Sequence, residues 1–223
     1  MKAMILAAGR GERLRPLTDQ TPKPLLKVGE RSLIEHHLVG LADAGFSDVV
    51  INLGWLGEQI RLALGDGQHY GLHIRYSQEP PGALETAGGI IHALPLLGQQ
   101  PFAAIAADIL CDFDYAELRA PPSPALATLV MVDNPPHHPQ GDFALDDGLL
   151  SLEGQNRLTF SGIAVYRPAL FAGLEAGPRA LRPVFEAAIA AGQLSGVHYR
   201  GRWSDIGTPE RLADAQHSPM VRR

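Results

Sequence analysis

An apolar run from Ala3 to Ala8 leads straight into Gly9-Arg10-Gly11, and this join of a strand to a glycine loop constrains the chain more than any other feature. Two glycines spaced one apart leave the backbone amides unhindered, so they can wrap around phosphate oxygens as an anion cradle. Beyond them Arg13, Arg15 and Lys23 supply three cations, and Pro22 and Pro24 restrict the backbone on either side of Lys23. Two familiar phosphate motifs are excluded by spacing. A dinucleotide fingerprint needs a third glycine where Leu14 stands, and no Gly-Lys-Ser/Thr is present to complete a P-loop. The segment reads as a different glycine-rich loop, suited to a triphosphate.

Apolar, β-rich stretches at 2–8, 48–52, 73–77 and 102–106 alternate with helical patterns at 33–44, 56–64 and 85–97. That alternation predicts βαβ units and a parallel sheet covered on both faces, Rossmann-like in its layering. After Asp108 the pattern changes. A proline-rich piece at 120–124 precedes strand candidates at 127–132 and 159–166, helix candidates at 168–174 and 181–191, and a strand at 197–199. Thr208-Pro209-Glu210 reads as a helix start, with threonine as cap and proline in the first helical position.

With 223 residues, the chain suffices for one α/β domain with a full core. No apolar run approaches the roughly 20 residues of a membrane span, and the apolar start is too short for a signal peptide, so the expectation is a cytoplasmic protein without a membrane partner. A net charge of −5 argues against a nucleic-acid partner. The single cysteine, Cys111, excludes an internal disulfide and a cysteine metal cluster.

Residues 6–25, from Leu6-Ala7-Ala8-Gly9-Arg10-Gly11-Glu12-Arg13-Leu14 to Thr21-Pro22-Lys23-Pro24-Leu25, closely resemble the opening loop of the sugar-nucleotide pyrophosphorylases. These nucleotidyltransferases join a nucleoside triphosphate to a sugar 1-phosphate. The resemblance covers nearly the whole chain. It implies a Rossmann-like three-layer α/β fold with a mixed sheet, the GT-A-like nucleotidyltransferase core, in one domain spanning 1–223. A nucleotide-binding half would occupy 1–118, a sugar-binding half 119–216, and a flexible tail 217–223. Ala8, Gly9, Gly11, Glu12, Arg13 and Lys23 would then hold the nucleotide, with Arg13 on the leaving pyrophosphate and Lys23 at the α-phosphate.

The apolar run 103–107 ends in Asp108, where ligand sites of open α/β sheets lie, and Trp203-Ser204-Asp205-Ile206-Gly207 offers a second carboxylate. Two aspartates completed by water and substrate phosphates suit Mg²⁺. In the family the corresponding aspartates hold that ion, so the resemblance assigns the metal to Asp108 and Asp205 and counts Asp108 with Arg13 and Lys23 as catalytic. Relatives often carry asparagine shortly before this aspartate, where this chain has Ala106. Asp112 and Asp114 form an Asp-x-Asp, the metal signature of glycosyltransferases with a related fold. The preferred reading is a solvated helix start with acidic residues in its first turn.

Leu84-Glu85-Thr86-Ala87-Gly88-Gly89 resembles the family segment along the nucleobase, which assigns Thr86 and Gly88 to the nucleotide, with Gln78 or Glu79 at the base edge. The two glycines could equally serve helix packing. The same resemblance assigns Gly141, Glu153 and Gly162 to the sugar. The lysine usually found after the glutamate is replaced in Glu153-Gly154-Gln155, and Arg157 or Arg202 are candidates to stand in for it. His36 and His37, adjacent in a helix pattern, face different ways and make a poor metal pair. His137 and His138 read as surface residues, Trp55 and Trp203 as packing groups.

Together the motifs are most similar to those of the family's N-acetylmuramate 1-phosphate uridylyltransferases. They imply transfer of a uridylyl group from UTP to a sugar 1-phosphate with release of pyrophosphate, in a monomer or small homo-oligomer. Other sugar 1-phosphates, glucose, N-acetylglucosamine or mannose, are the alternative substrates, and a glycosyltransferase using Asp112 and Asp114 is the alternative activity.

Overall fold

The computed structural model describes residues 1–120 and 124–218; the proline-rich piece at 120–124 and the expected tail at 217–223 therefore lie largely outside the described residues. In the first half, β1 (Lys2–Leu6), α1 (Leu17–Gln20), β2 (Lys27–Val28), β3 (Arg31–Ser32), α2 (Leu33–Asp43), β4 (Asp48–Leu53), α3 (Gly57–Leu64), β5 (His73–Gln78), α4 (Glu85–Leu97) and β6 (Phe102–Ala106) follow one another. The second half contributes β7 (Ile109–Cys111), β8 (Ala127–Val132), β9 (Phe143–Asp146), β10 (Leu149–Ser151), β11 (Arg157–Tyr166), α5 (Leu181–Ala190), β12 (Leu194–His198), β13 (Trp203–Asp205) and α6 (Pro209–Gln216).

Among the described residues nine strands form one sheet in the order β5-β4-β1-β6-β11-β8-β12-β10-β9. The first four are mutually parallel. β11 then runs antiparallel to both β6 and β8, while β12 is parallel to β8, so the sheet is mixed. Helices cover both faces. Ile34, Leu38 and Leu41 of α2, with Ile60 and Leu64 of α3, pack on one, and Ile90, Ala93 and Leu97 of α4, with Val184, Phe185 and Ala188 of α5, pack on the other. In the parallel half the chain starts at β1, winds outward to β4 and β5, then returns to place β6 on the other side of β1. Strand order thus reverses between β1 and β6, and open α/β sheets leave a crevice at the carboxyl ends of such a pair.

Local chemistry explains several boundaries. β1 stops at Leu6, short of the expected Ala8, because the Ala7 N–H leaves the ladder to donate to the Asn52 side chain at 2.7 Å. Ser32 and Glu35 form a reciprocal capping box at the start of α2. Thr208 caps α6 by accepting from the Arg211 N–H, with Pro209 in the first turn, as the sequence predicts. The helix expected at 168–174 is reduced to a 3₁₀ turn, Pro168–Phe171.

α4 has no side-chain cap at its start. Its early N–H groups, which no helical carbonyl can reach, are satisfied from afar: those of Ala87 and Gly88 both donate to the Arg179 carbonyl, and the Arg179 N–H donates to the Leu84 carbonyl. A strap at 177–179 thus crosses the start of α4. A Cβ on Gly88 would lie 2.3 Å from the Gly177 carbonyl oxygen, so this glycine is required by the strap.

His37 is fully enclosed beneath α2, its Nδ1 2.7 Å from the Tyr115 hydroxyl. Desolvation, assisted by the neighbouring His36, pulls its pKa from 6.5 down to about 4. An imidazole harder to protonate folded than unfolded leaves stability intact above pH 6.5 and removes it as pH falls toward 4, by roughly 3 kcal/mol in all. Denaturant titrations at pH 7.5 and 4.5 should show this loss, and His37→Gln should flatten it; an unchanged slope in the variant would assign the acid sensitivity elsewhere.

Candidate active site

A cleft of about 1380 Å³ opens along the carboxyl ends of β1, β6 and β4 and continues past β11 to the start of α5. Typical small-ligand pockets hold roughly 300–1,000 Å³. The space suits two substrates side by side.

The floor is built by the loop after β1. Gly11 adopts φ +70°, and a Cβ there would approach Thr18 Cγ2 to 3.0 Å and Lys23 Cβ to 3.3 Å. Only glycine lets the loop fold this tightly over Lys23. Gly9 differs, since a Cβ there would meet no protein atom within 4 Å, and its bare backbone faces open space. Lys23 begins a 3₁₀ turn between Pro22 and Pro24, and its ammonium, almost wholly buried, pairs with Asp108 Oδ2 at 2.5 Å. Asp108 lies two residues past the end of β6, so the Lys23–Asp108 pair spans the β1–β6 crevice. Arg13 is exposed, lines the same cleft and makes no ion pair or hydrogen bond among the described residues. A cation left without a counter-charge beside bare amides is poised for an anion.

The second aspartate arrives through a small ladder. β13 pairs antiparallel with β7, placing Asp205 opposite Ile109, and the Ile206 N–H donates to the Asp108 carbonyl at 2.7 Å. Asp205 Oδ1 is held by the Arg211 guanidinium and lies 3.0 Å from His137 Nε2. Asp205 does not itself line the cleft, but Gly207 does. A Cβ on Gly207 would lie 2.8 Å from Arg13 and 2.5 Å from Arg211, so both guanidinium groups close around it. Sequence reasoning passed over Arg211. Its i−6 relation to Asp205 has no helical or strand period to reveal it.

Of the residues assigned to the nucleotide, Ala8, Gly9, Gly11, Glu12, Arg13, Lys23, Gln78 and Thr86 line the cleft. Gly88 does not; it belongs to the strap contact. Arg15 turns away to Asp19 and Glu12. Arg10 lines the cleft in its place, 3.9 Å above the Trp55 ring and paired with Asp19, so Trp55 is a half-exposed cleft residue and not a packing group. Glu79 also faces the cleft; burial pushes its carboxyl up, against the pull of the hydrogen bond from Asn52.

Of the residues expected at the sugar, Gly162 lines the cleft at φ +84°, in a bulge where the register between β11 and β8 slips after Phe160. Its Cβ would press 2.9 Å from that of Ala106. Gly141 lies just outside, required where a Cβ would strike Asn134 and Leu158, while its neighbour Asp142 lines the cleft. Glu153 is exposed in a turn after β10 and outside the lining. Arg157 is spent on main-chain carbonyls of Gln140, Gly141, Asp142 and Leu152, and neither it nor Arg202 lines the cleft. Arg182 lines the cleft instead. Asp112 and Asp114 are likewise outside it. Asp114 caps the turn after it, and Asp112, though part burial pushes its carboxyl up, is held below its ordinary value by the Tyr199 hydroxyl and the Arg202 N–H.

The nucleotidyl transferase family pattern matches residues 2–144. The chain belongs to that family. This nucleotidyl transferase is 53% identical to the N-acetylmuramate alpha-1-phosphate uridylyltransferase of Neisseria meningitidis serogroup B, with 97% of each chain covered. A protein of the same name from Caulobacter vibrioides is 33% identical over 96% of this chain and 97% of its own. The mannose-1-phosphate guanyltransferase of Aspergillus fumigatus is 31% identical over 94% of this chain but 62% of its own length. Among solved structures, one described as a glucose-1-phosphate thymidylyltransferase from Bacillus anthracis, in complex with sucrose, superposes with a TM-score of 0.89 at 22% identity, covering 100% of this chain and 96% of its own. That likeness establishes the shared nucleotidyltransferase fold. No helix among the described residues is long and apolar enough to cross a membrane.

Proposed function

We propose that this nucleotidyltransferase transfers the uridylyl group of UTP to N-acetylmuramate 1-phosphate, releasing pyrophosphate, in the cytoplasm and in the service of cell-wall recycling. The observation that carries the reading is the Lys23–Asp108 pair across the β1–β6 crevice, flanked by the unpaired Arg13 and the open amides at Gly9. The name of the Neisseria relative, matched over nearly the whole of both chains, supports the choice of base and sugar.

A phosphate monoester is largely dianionic at neutral pH, so its oxygen needs no general base to attack the α-phosphorus. What remains for the protein is positioning and charge neutralisation. In this reading Arg13 and the amides around Gly11 hold the departing pyrophosphate, and Lys23 stands at the α-phosphate. Gln78, Glu79 and Thr86 face the base, Gly162 and Asp142 the sugar.

The donor set fits Mg²⁺. Asp108, just past β6, and Asp205, in β13, carry hard carboxylate oxygens of the kind Mg²⁺ takes and are joined by the Ile206 N–H to Asp108 carbonyl bond, with Asp108 paired to Lys23 and Asp205 to Arg211. Held by those aspartates, Mg²⁺ would supply charge neutralisation to phosphate oxygens.

Pyrophosphate release should be measured with UTP, dTTP, GTP and ATP against the 1-phosphates of N-acetylmuramate, N-acetylglucosamine, glucose and mannose. The largest kcat/KM is expected for UTP with N-acetylmuramate 1-phosphate. A maximum at GTP with mannose 1-phosphate would replace this reading, and nucleotide binding without pyrophosphate from any pair would end it.

A further inference from the structure

We infer that Arg182 is the residue that selects an acid-bearing sugar, its guanidinium fork gripping a carboxylate on the sugar ring at the end of the cleft beyond β11. The inference rests on the function proposed above and names a specificity residue for the same site.

Among the described residues Arg10, Arg13, Lys23 and Arg182 are the lysine and arginine residues lining the cleft. Three of them come from the loop and turns after β1. Arg10 is committed to Asp19 and the Thr18 carbonyl, Lys23 to Asp108, and Arg13 lies against Gly207 on the phosphate side. Arg182, in the first turn of α5, comes from the other half of the chain. In strand order β11 lies beyond β6 as seen from β1, and Arg182 shares that far end with Asp142, Phe143, Phe160 and Phe185.

Its geometry is that of a pre-set clamp. Nε donates to Glu186 Oε1 at 2.9 Å, and the guanidinium carbon lies 5.0 Å from the centroid of the Phe143 ring. Those two contacts fix the plane of the group. The outer edge is only loosely engaged: Nη1 forms a long ion pair with Asp142 Oδ1 at 3.6 Å, beyond hydrogen-bond reach, and neither Nη1 nor Nη2 makes a hydrogen bond among the described residues. That Nη1/Nη2 edge is one with which arginine takes a carboxylate in two parallel hydrogen bonds. Asp142 does not need Arg182 to stay in place, because its Oδ2 accepts from the Phe160 N–H at 2.8 Å and its Oδ1 lies 3.3 Å from His138. The floor beneath is aromatic, with Phe143 and Phe160 both edge-on to Phe185, and a charge pair above such a surface is less screened than one in water. N-Acetylmuramate differs from N-acetylglucosamine by an ether-linked lactate, which carries an ionised carboxylate at neutral pH. An oriented, half-exposed fork facing the sugar end of the cleft matches that one added group.

The test pairs the residue with the group it recognises. kcat/KM is measured for wild type and Arg182→Gln with N-acetylmuramate 1-phosphate and with its lactyl methyl ester, which is neutral. Wild type should lose roughly tenfold or more on esterification, as for a hydrogen-bonded charge. Arg182→Gln should lose about as much on the acid and little further on the ester. Arg182→Lys, which keeps the charge without the fork, should fall between. A variant that still prefers acid over ester by the wild-type factor overturns the inference and leaves the proposed function standing. A wild type that turns over neither sugar overturns the proposed function, and this inference with it.

Discussion

Replacing Lys23 with alanine is expected to lower kcat by roughly 100- to 1000-fold, the scale of about 3 kcal/mol or more seen when a preorganised electrostatic donor is removed. The size follows from burial. Lys23 is 8% exposed, fixed between two prolines and set against one carboxylate, so it meets developing charge without having to shed water or find its rotamer. An exposed lysine would contribute far less. Steady-state kinetics with pyrophosphate readout separate the two roles open to it. A fall in kcat with little change in KM assigns Lys23 to the transition state; a rise in KM alone would make it a ground-state binding group and would remove it from the chemistry. Lys23→Arg should not rescue the rate, because a compact ammonium set 2.5 Å from Asp108 Oδ2 is replaced by a longer, planar guanidinium that spreads its charge.

Asp108→Asn is the second large expectation, a loss of at least ~1000-fold in kcat/KM at saturating magnesium, since a metal-held phosphate clamp supplies several kcal/mol of charge stabilisation. The carboxylate is about two-fifths exposed, but neutralising it leaves the buried Lys23 ammonium without its counter-charge, so a lowered melting temperature is expected beside the kinetic loss. Its signature is a magnesium dependence that no longer saturates in the wild-type range. Wild-type turnover in the variant would withdraw Asp108 as a ligand. Lys23 and Asp108 touch, so their losses should not add: the double variant Lys23→Ala, Asp108→Asn should fall short of the product of the single losses. Full multiplicativity would mean that the pair works as two independent groups, contrary to the geometry of the crevice.

The parts of this site carried by contiguous chain were readable beforehand. Gly9, Gly11, Arg13 and Lys23 lie within fifteen residues, and a tight loop with flanking prolines leaves them little freedom over where to point. Asp108 was readable because an apolar strand ends there. What could not be read were consequences of long-range pairing. Arg182 reaches the cleft only because α5 packs beside α4 on one face of the sheet, and nothing within its own helix marks it. Gly88, expected at the nucleotide, lies outside the cleft lining, and the sequence could not show why: its neighbour in space, Gly177, lies 89 positions away in the chain. Glu153 was placed by a family motif from which this chain departs in the next two residues, and the turn that follows β10 carries it into solvent. Arg157 looked like a free cation from its charge, yet four carbonyl contacts consume its donors.

The capping of α4 by Arg179 has a mechanical consequence. The cleft-lining segment 78–86 and the helix that presents Arg182 are separated by about a hundred residues, yet the clasp between Leu84 and Arg179 joins the end of the one to the approach of the other. A pull on either is passed to the other. The two banks of the cleft are therefore buckled together through main-chain hydrogen bonds, independently of any side chain in either bank.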